Sequence, residues 1–249
     1  MRVRERSVSA TLLSRAIAQT DERKPRPHER ELCGVSALRT TIDRKYNLLS
    51  ELSRAVLRRL AVFAGEFTLQ AASAIVVCEK VLRPQVLVSL GELQAGSLLE
   101  CRREAASTRY RLPDVTRAHA LRWLAAGGEA DLTARNHAEY FQHVFEDAEV
   151  QLDRQVATQW IADYGRYIDE VRAALDWAFS PAGDAFIGVG LTVAAMPLWV
   201  LSSRPDELCH RIERALESEA AATHSAREMQ LRAAARLAGM PGVALQRLM

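Results

Sequence analysis

Apolar positions fall into helical order from Ser36 onward. Leu38, Ile42, Tyr46 and Leu49 recur every three or four residues, which predicts a lead-in helix with one apolar stripe. Ser50 follows as an N-cap candidate for a helix with the stripe Leu52, Val56, Leu60 and Phe63. Ser53 stands where a full capping box needs Glu. Gly65 is placed to end that helix in the left-handed conformation. Thr68 caps a third helix with the small-residue face Ala71, Ala72, Ile75 and Val76, and Phe67 is positioned to staple onto its first turn. Pro84 suits the first turn of a fourth helix, Pro84 to Ala95, carrying Val86, Leu87, Leu90 and Leu93. The period then shortens towards two. Leu98 to Arg102 and Thr108 to Leu112 flank a polar tip, Arg103 to Ser107, and read as a hairpin.

Beyond the hairpin the pattern is helical throughout. Pro113 and Asp114 open a helix through Val115, Ala118, Leu121 and Trp123 or Leu124, which Gly127 and Gly128 stop. A longer helix buries Leu132, Asn136, Tyr140, Phe141 and Phe145. Trp160, Ile161 and Tyr164 mark the next. Another carries Tyr167, Ile168, Val171, Leu175 and Ala178 and ends at Ser180-Pro181. Ala185 to Leu201 is almost wholly apolar, but it is at the short end for a membrane span and holds Gly188, Gly190, Thr192 and Pro197. A buried, Pro-kinked core helix is the reading it favours. Asp206 to Glu219 and Ser225 to Leu237 are the last helical patterns. The fold class expected is mainly α: a winged helix, made of three helices and a β-hairpin, followed by antiparallel helical hairpins of TPR-like type. The division expected is a flexible lead-in over 1–35, a winged-helix domain with its lead-in helix over 36–127, and a truncated helical-hairpin domain over 128–249.

Composition sharpens this picture only a little. Hydrophobic residues make up 49% of the 249 and aromatics 6%, so the core rests on Leu, Ala and Val with few large anchors. The 33 basic and 31 acidic residues leave a net charge of +2, which gives no global case for nucleic acid or an anionic membrane. The N-terminal stretch has Arg2, Arg4 and Arg6 and resembles an organelle-targeting peptide. Acids at Glu5, Asp21 and Glu22 favour a plain lead-in, and no apolar segment of the secretory kind is present. Cys33, Cys78, Cys101 and Cys209 form no C-x-x-C pair and read as reduced residues of a cytoplasmic protein. His137 and His143, six apart, lie on different helix faces and do not make a metal pair. No catalytic set, metal site or cofactor motif is expected.

The run LLSELSRAVLRRLAVFAGEFTLQAA, with the lead-in from Ala37 to Asp43, resembles the segment after the nucleotide-binding domain in bacterial signal-transduction ATPases of the STAND class. Tyr110-Arg111-Leu112 with Arg117, His137 to Phe141, Val171 to Ala178 and Asp206 to Leu216 resemble later helices of that class. The likeness covers Ala37 to Leu237. It implies a module that couples a nucleotide-binding domain to a helical-repeat sensor. The departures bear on function. No G-x-x-x-x-G-K-[ST] run is present to hold phosphates. Leu112-Pro113-Asp114 replaces a Met-His-Asp motif, so the nucleotide-sensing His is missing. Gly96 stands where relatives tend to have Lys.

A non-catalytic interaction module with a protein partner is thus the first expectation. Its open end is expected to expose Leu231, Leu237, Leu245 and Leu248. A DNA-binding winged-helix transcriptional regulator is the alternative. Nucleic acid is the less favoured partner on two counts: the helix from Pro84 offers only Gln85 and Gln94 for base reading, and Glu92 would repel phosphate. Arg102, Arg103, Arg109 and Arg111 on the wing are the candidate phosphate contacts.

Overall fold

The computed structural model describes residues 39–78, 81–104, 107–152, 154–218, 229 and 232. Among the described residues, those from Ile42 to Ser218 belong to one compact unit. The whole lead-in over 1–35, with Leu231, Leu237, Leu245 and Leu248, lies outside the described residues.

Helix is present over 39–48, and Ser50 Oγ then accepts the Ser53 amide at 3.2 Å to start α1 (Glu51–Leu60). α1 buries Val56, Leu57 and Leu60. It closes without a left-handed glycine: the amides of Ala61, Val62 and Phe63 bond to carbonyls three residues back, a 3₁₀ tightening. Gly65 therefore does not cap α1. Its amide goes to Glu170 instead.

Phe67–Thr68 (β1) leads into α2 (Leu69–Val76), whose first turn is capped by Thr68 Oγ1 accepting the Ala71 amide at 3.1 Å. Phe67 stacks on Phe63, with centroids 4.4 Å apart. α3 (Arg83–Ala95) starts one residue earlier than predicted, with Arg83 in its first turn. Val86, Leu90 and Leu93 face inward, whereas Leu87 points out at 52% exposure. The α3 end turns through Ser97 at φ 54°.

β2 (Glu100–Arg103) and β3 (Thr108–Arg111) form the predicted antiparallel hairpin. β1 adds on the far side of β3, giving a sheet of order β1-β3-β2 with Phe67 opposite Tyr110 and Thr68 opposite Arg109. The sequence pattern does not reveal β1, since two residues carry no period.

α4 (Asp114–Ala126) buries Thr116, His119, Ala120 and Leu124. The expected inward residues Val115, Ala118 and Leu121 are exposed. Tyr46 stacks on Trp123 at 3.8 Å, and His119 Nδ1 lies 3.5 Å from Asp43, so α4 meets the lead-in helix through these two side chains. Gly128 at φ +68° ends α4 as predicted.

α5 (Ala130–Leu152), α6 (Ala157–Tyr164), α7 (Ile168–Ala178), α8 (Ala185–Ala194), α9 (Met196–Leu201) and α10 (Pro205–Leu216) make the helical layer. α5 packs on α2 on one side and on α7 and α8 on the other. One continuous apolar core therefore runs from Ile42 through the winged unit to Ala215. Leu132 on α5 is exposed, contrary to its expected burial, and Asn136 is only half-buried. The apolar stretch from Ala185 is two helices broken at Ala195, not one kinked helix, with Pro197 in the first turn of α9 where its missing amide costs little. Among the described residues no helix is long and apolar enough to cross a membrane.

Candidate nucleic-acid interface

α2, the connection through Cys78 and Val81, and α3 together make a helix-turn-helix, and the β2–β3 hairpin stands after α3 as a wing. The packing of α1, α2 and α3 on one another holds α3 by its buried residues and leaves Arg83, Pro84, Leu87, Val88, Gly91 and Gln94 facing out. A shallow groove of 510 Å³ between α2 and α3 is lined by Leu69, Gln70, Ser73, Arg83, Pro84 and Leu87.

Two features differ from what the sequence implied. Arg83 is the first residue of α3, so the groove-facing helix does carry a cation at its N-terminal end. Glu92 is turned away from the outward face. Its carboxylate accepts the Ser50 amide at 3.1 Å, the Ser50 hydroxyl at 3.1 Å and the Ser53 hydroxyl at 2.5 Å. The Ser53 and Ser50 bonds hold its pKa below the ordinary glutamate value. Glu92 thus acts as a second cap on α1, and its charge is spent there rather than against an incoming phosphate. Gln85 likewise accepts the Leu82 amide at 2.7 Å, at the start of its own helix.

The four wing arginines separate into three kinds. Arg102 is 73% exposed, with Glu66 only at 4.0 Å, and Arg103 is exposed. Arg111 is half-exposed and lies 3.2 Å from Asp114. Arg109 is buried at 8% and bonds Glu104 at 3.2 Å. Burial pulls the Arg109 pKa down, but hydrogen bonds with Tyr167 and Glu104 outweigh this and hold the guanidinium charged. Arg109 is thus a structural cation under the sheet, and Arg102 and Arg103 are the wing's available ones. The sequence hid this split because alternation on a strand marks faces without showing which face another helix covers.

Residues 49–125 match the family model described as a winged helix-turn-helix domain. Proteins of Mycobacterium bovis and Mycobacterium tuberculosis, provisionally named HTH-type transcriptional regulators, are 32% identical to this chain over 162 residues. That match covers 65% of the chain and 18% of each relative, so the chain spans only a small part of the proteins it resembles. No solved structure matches the chain significantly. Both matches carry a helix-turn-helix description, whereas the sequence-based expectation placed nucleic acid as the less favoured partner. The unit over 49–125 is a winged helix-turn-helix domain.

Proposed function

We propose that the chain is a segment of a DNA-binding transcriptional regulator, divided into a lead-in over 1–35, a winged unit over 36–127 and TPR-like helical hairpins over 128–249. The observation that carries this reading is a helix-turn-helix and wing with Arg83, Arg102 and Arg103 exposed and Glu92 withdrawn onto α1. In such a complex α3 enters the major groove, the wing arginines meet phosphates, and Leu87 and Val88 pack against thymine methyl groups. Few base-edge donors face out, so affinity comes mostly from the backbone and sequence discrimination is low.

Fluorescence anisotropy of a labelled duplex tests it. The expected dissociation constant is in the micromolar range at low salt, of the order of 10⁻⁵–10⁻⁶ M, and it weakens as salt rises. Anisotropy that stays flat up to ~100 µM protein, well past that range, rejects the reading.

A second reading is favoured by one observation: Val88 is 70% exposed and Leu87 52% on the outward face of α3. Such a face suits protein rather than phosphate. On this reading the chain is the non-catalytic coupling module of a STAND-type signalling ATPase, set between a nucleotide-binding domain and a helical-repeat sensor. The same titration decides between them, since this module leaves the duplex free.

A further inference from the structure

The turn over 61–66 joins α1 to β1 and is gripped from two sides. On its carbonyl side Arg117 of α4 donates from Nε to Phe63 O at 2.6 Å and to Ala61 O at 3.1 Å. On its amide side Glu170 of α7 accepts the Gly65 amide at 2.6 Å through Oε1 and the Ala64 amide at 3.1 Å through Oε2. His137 of α5 completes the cradle, its Nε2 lying 2.8 Å from Glu170 Oε2. Both side chains of this pair are sealed from solvent, at 1% and 2% exposure. The His137 ring packs between Phe63, edge-on at 5.6 Å, and Phe141 at 4.8 Å.

The first grip belongs to the winged unit itself. The second comes from the helical layer, over a hundred residues later in the chain. What lies just past the turn matters. Phe67 is two residues from Gly65 and pairs with Tyr110 of the wing sheet. Thr68 pairs with Arg109 and also caps α2. A displacement of this turn therefore shifts the wing and the start of the helix-turn-helix together.

We propose that Glu170 is a coupling residue that passes movements of the helical layer to the winged unit through the Ala64 and Gly65 amides. The Glu170 carboxyl suits this task because it is sealed from solvent and its two oxygens bond two backbone amides and meet the His137 ring, so the linkage is either made in full or broken. The proposal does not depend on what the winged unit binds.

Amide hydrogen exchange on the full 249-residue chain tests it. In Glu170→Gln, a substitution of nearly equal shape, the Ala64 and Gly65 amides are expected to exchange about tenfold faster or more. Changes in amide chemical shift should reach Phe67, Thr68 and the β2–β3 wing. Val171→Ala, the next residue on α7 and equally buried, is the control for simple loss of stability. It should lower the melting midpoint while leaving Ala64 to Thr68 unchanged. Unaltered exchange at Ala64 and Gly65 in Glu170→Gln, or the same wing perturbation in Val171→Ala, overturns the proposal. If Glu170→Gln does not fold, the unmodified chain answers under graded denaturant. Opening of Ala64 and Gly65 together with the α7 amides supports the link, and opening of the turn at lower denaturant refutes it.

Discussion

At the scale of single residues, backbone conformation and burial decide what each side chain is free to do. Ser97 is a case of the first. It sits at φ 54°, where its amide bonds Gln94 O at 2.9 Å and the Leu98 amide reaches back to Leu93 O at 2.9 Å. This is a glycine-type helix stop occupied by a residue with a Cβ. Left-handed geometry costs a non-glycine residue about 1 kcal/mol. Ser97→Gly should therefore raise the melting midpoint by about 2–4 °C for a chain of this size, read by circular dichroism. A lowered midpoint would mean that the extra freedom of the unfolded glycine chain outweighs the relief. Arg109 is a case of the second: the same residue type as Arg102, seven positions on, but walled in by Glu104 and Tyr167.

At the scale of elements, the last helices are tied by charge as well as by apolar packing. Arg172 on α7 donates from Nε and Nη2 to both carboxylate oxygens of Glu207 on α10, at 2.7 and 2.5 Å. Arg211 on α10 reaches back to Asp176 on α7. The Arg172 hydrogen bonds hold the Glu207 carboxyl below the usual glutamate range despite partial burial. Glu129 is lowered too, for burial alone would raise it and the bonds from Arg58 and Arg59 prevail. A carboxyl with a depressed folded pKa stabilises above its unfolded pKa of about 4.3, and that contribution disappears as pH falls through the folded value. The melting midpoint should therefore decline below about pH 4. Glu207→Gln should melt lower than the unmodified chain at neutral pH, decline less steeply in acid, and meet it there. Parallel curves across the whole range would show that the α7–α10 bridge contributes nothing measurable.

Local signals account for much of this architecture. Ser50, Thr68 and Gly128 each perform the capping role their residue type implies, because a cap is decided within four residues of chain. Burial face was harder to read. Val115, Leu121 and Leu132 are apolar and exposed, while Thr116, His119, Thr133 and His137 point inward. Their inward orientation depends on partners far along the chain, such as Asp43 for His119 and Glu170 for His137. No period over a dozen residues encodes those pairings. The same holds at the candidate interface. Arginine positions were visible on the wing, but the withdrawal of Glu92 onto Ser50 and Ser53 depends on how α3 crosses α1.

At the scale of the molecule, a net charge of +2 means that any attraction to DNA is local rather than global. With Arg83, Arg102 and Arg103 as the available cations, the logarithm of the binding constant should fall against the logarithm of salt with a slope of about −2 to −3. Arg102→Ala should reduce that slope by about one, whereas Arg111→Ala, already facing Asp114, should change it less. Equal slopes in all three proteins would remove the wing from the contact.

The sheet order has one more consequence. Because β3 lies between β1 and β2, the outer rim of β2 has no neighbouring strand among the described residues, and Arg102 and Arg103 stand along it. Two adjacent cations on an open rim repel an identical rim from another molecule, so stacking of hairpins into a growing ribbon is disfavoured. Replacing both with uncharged residues would remove that repulsion and leave a template for aggregation in concentrated solution.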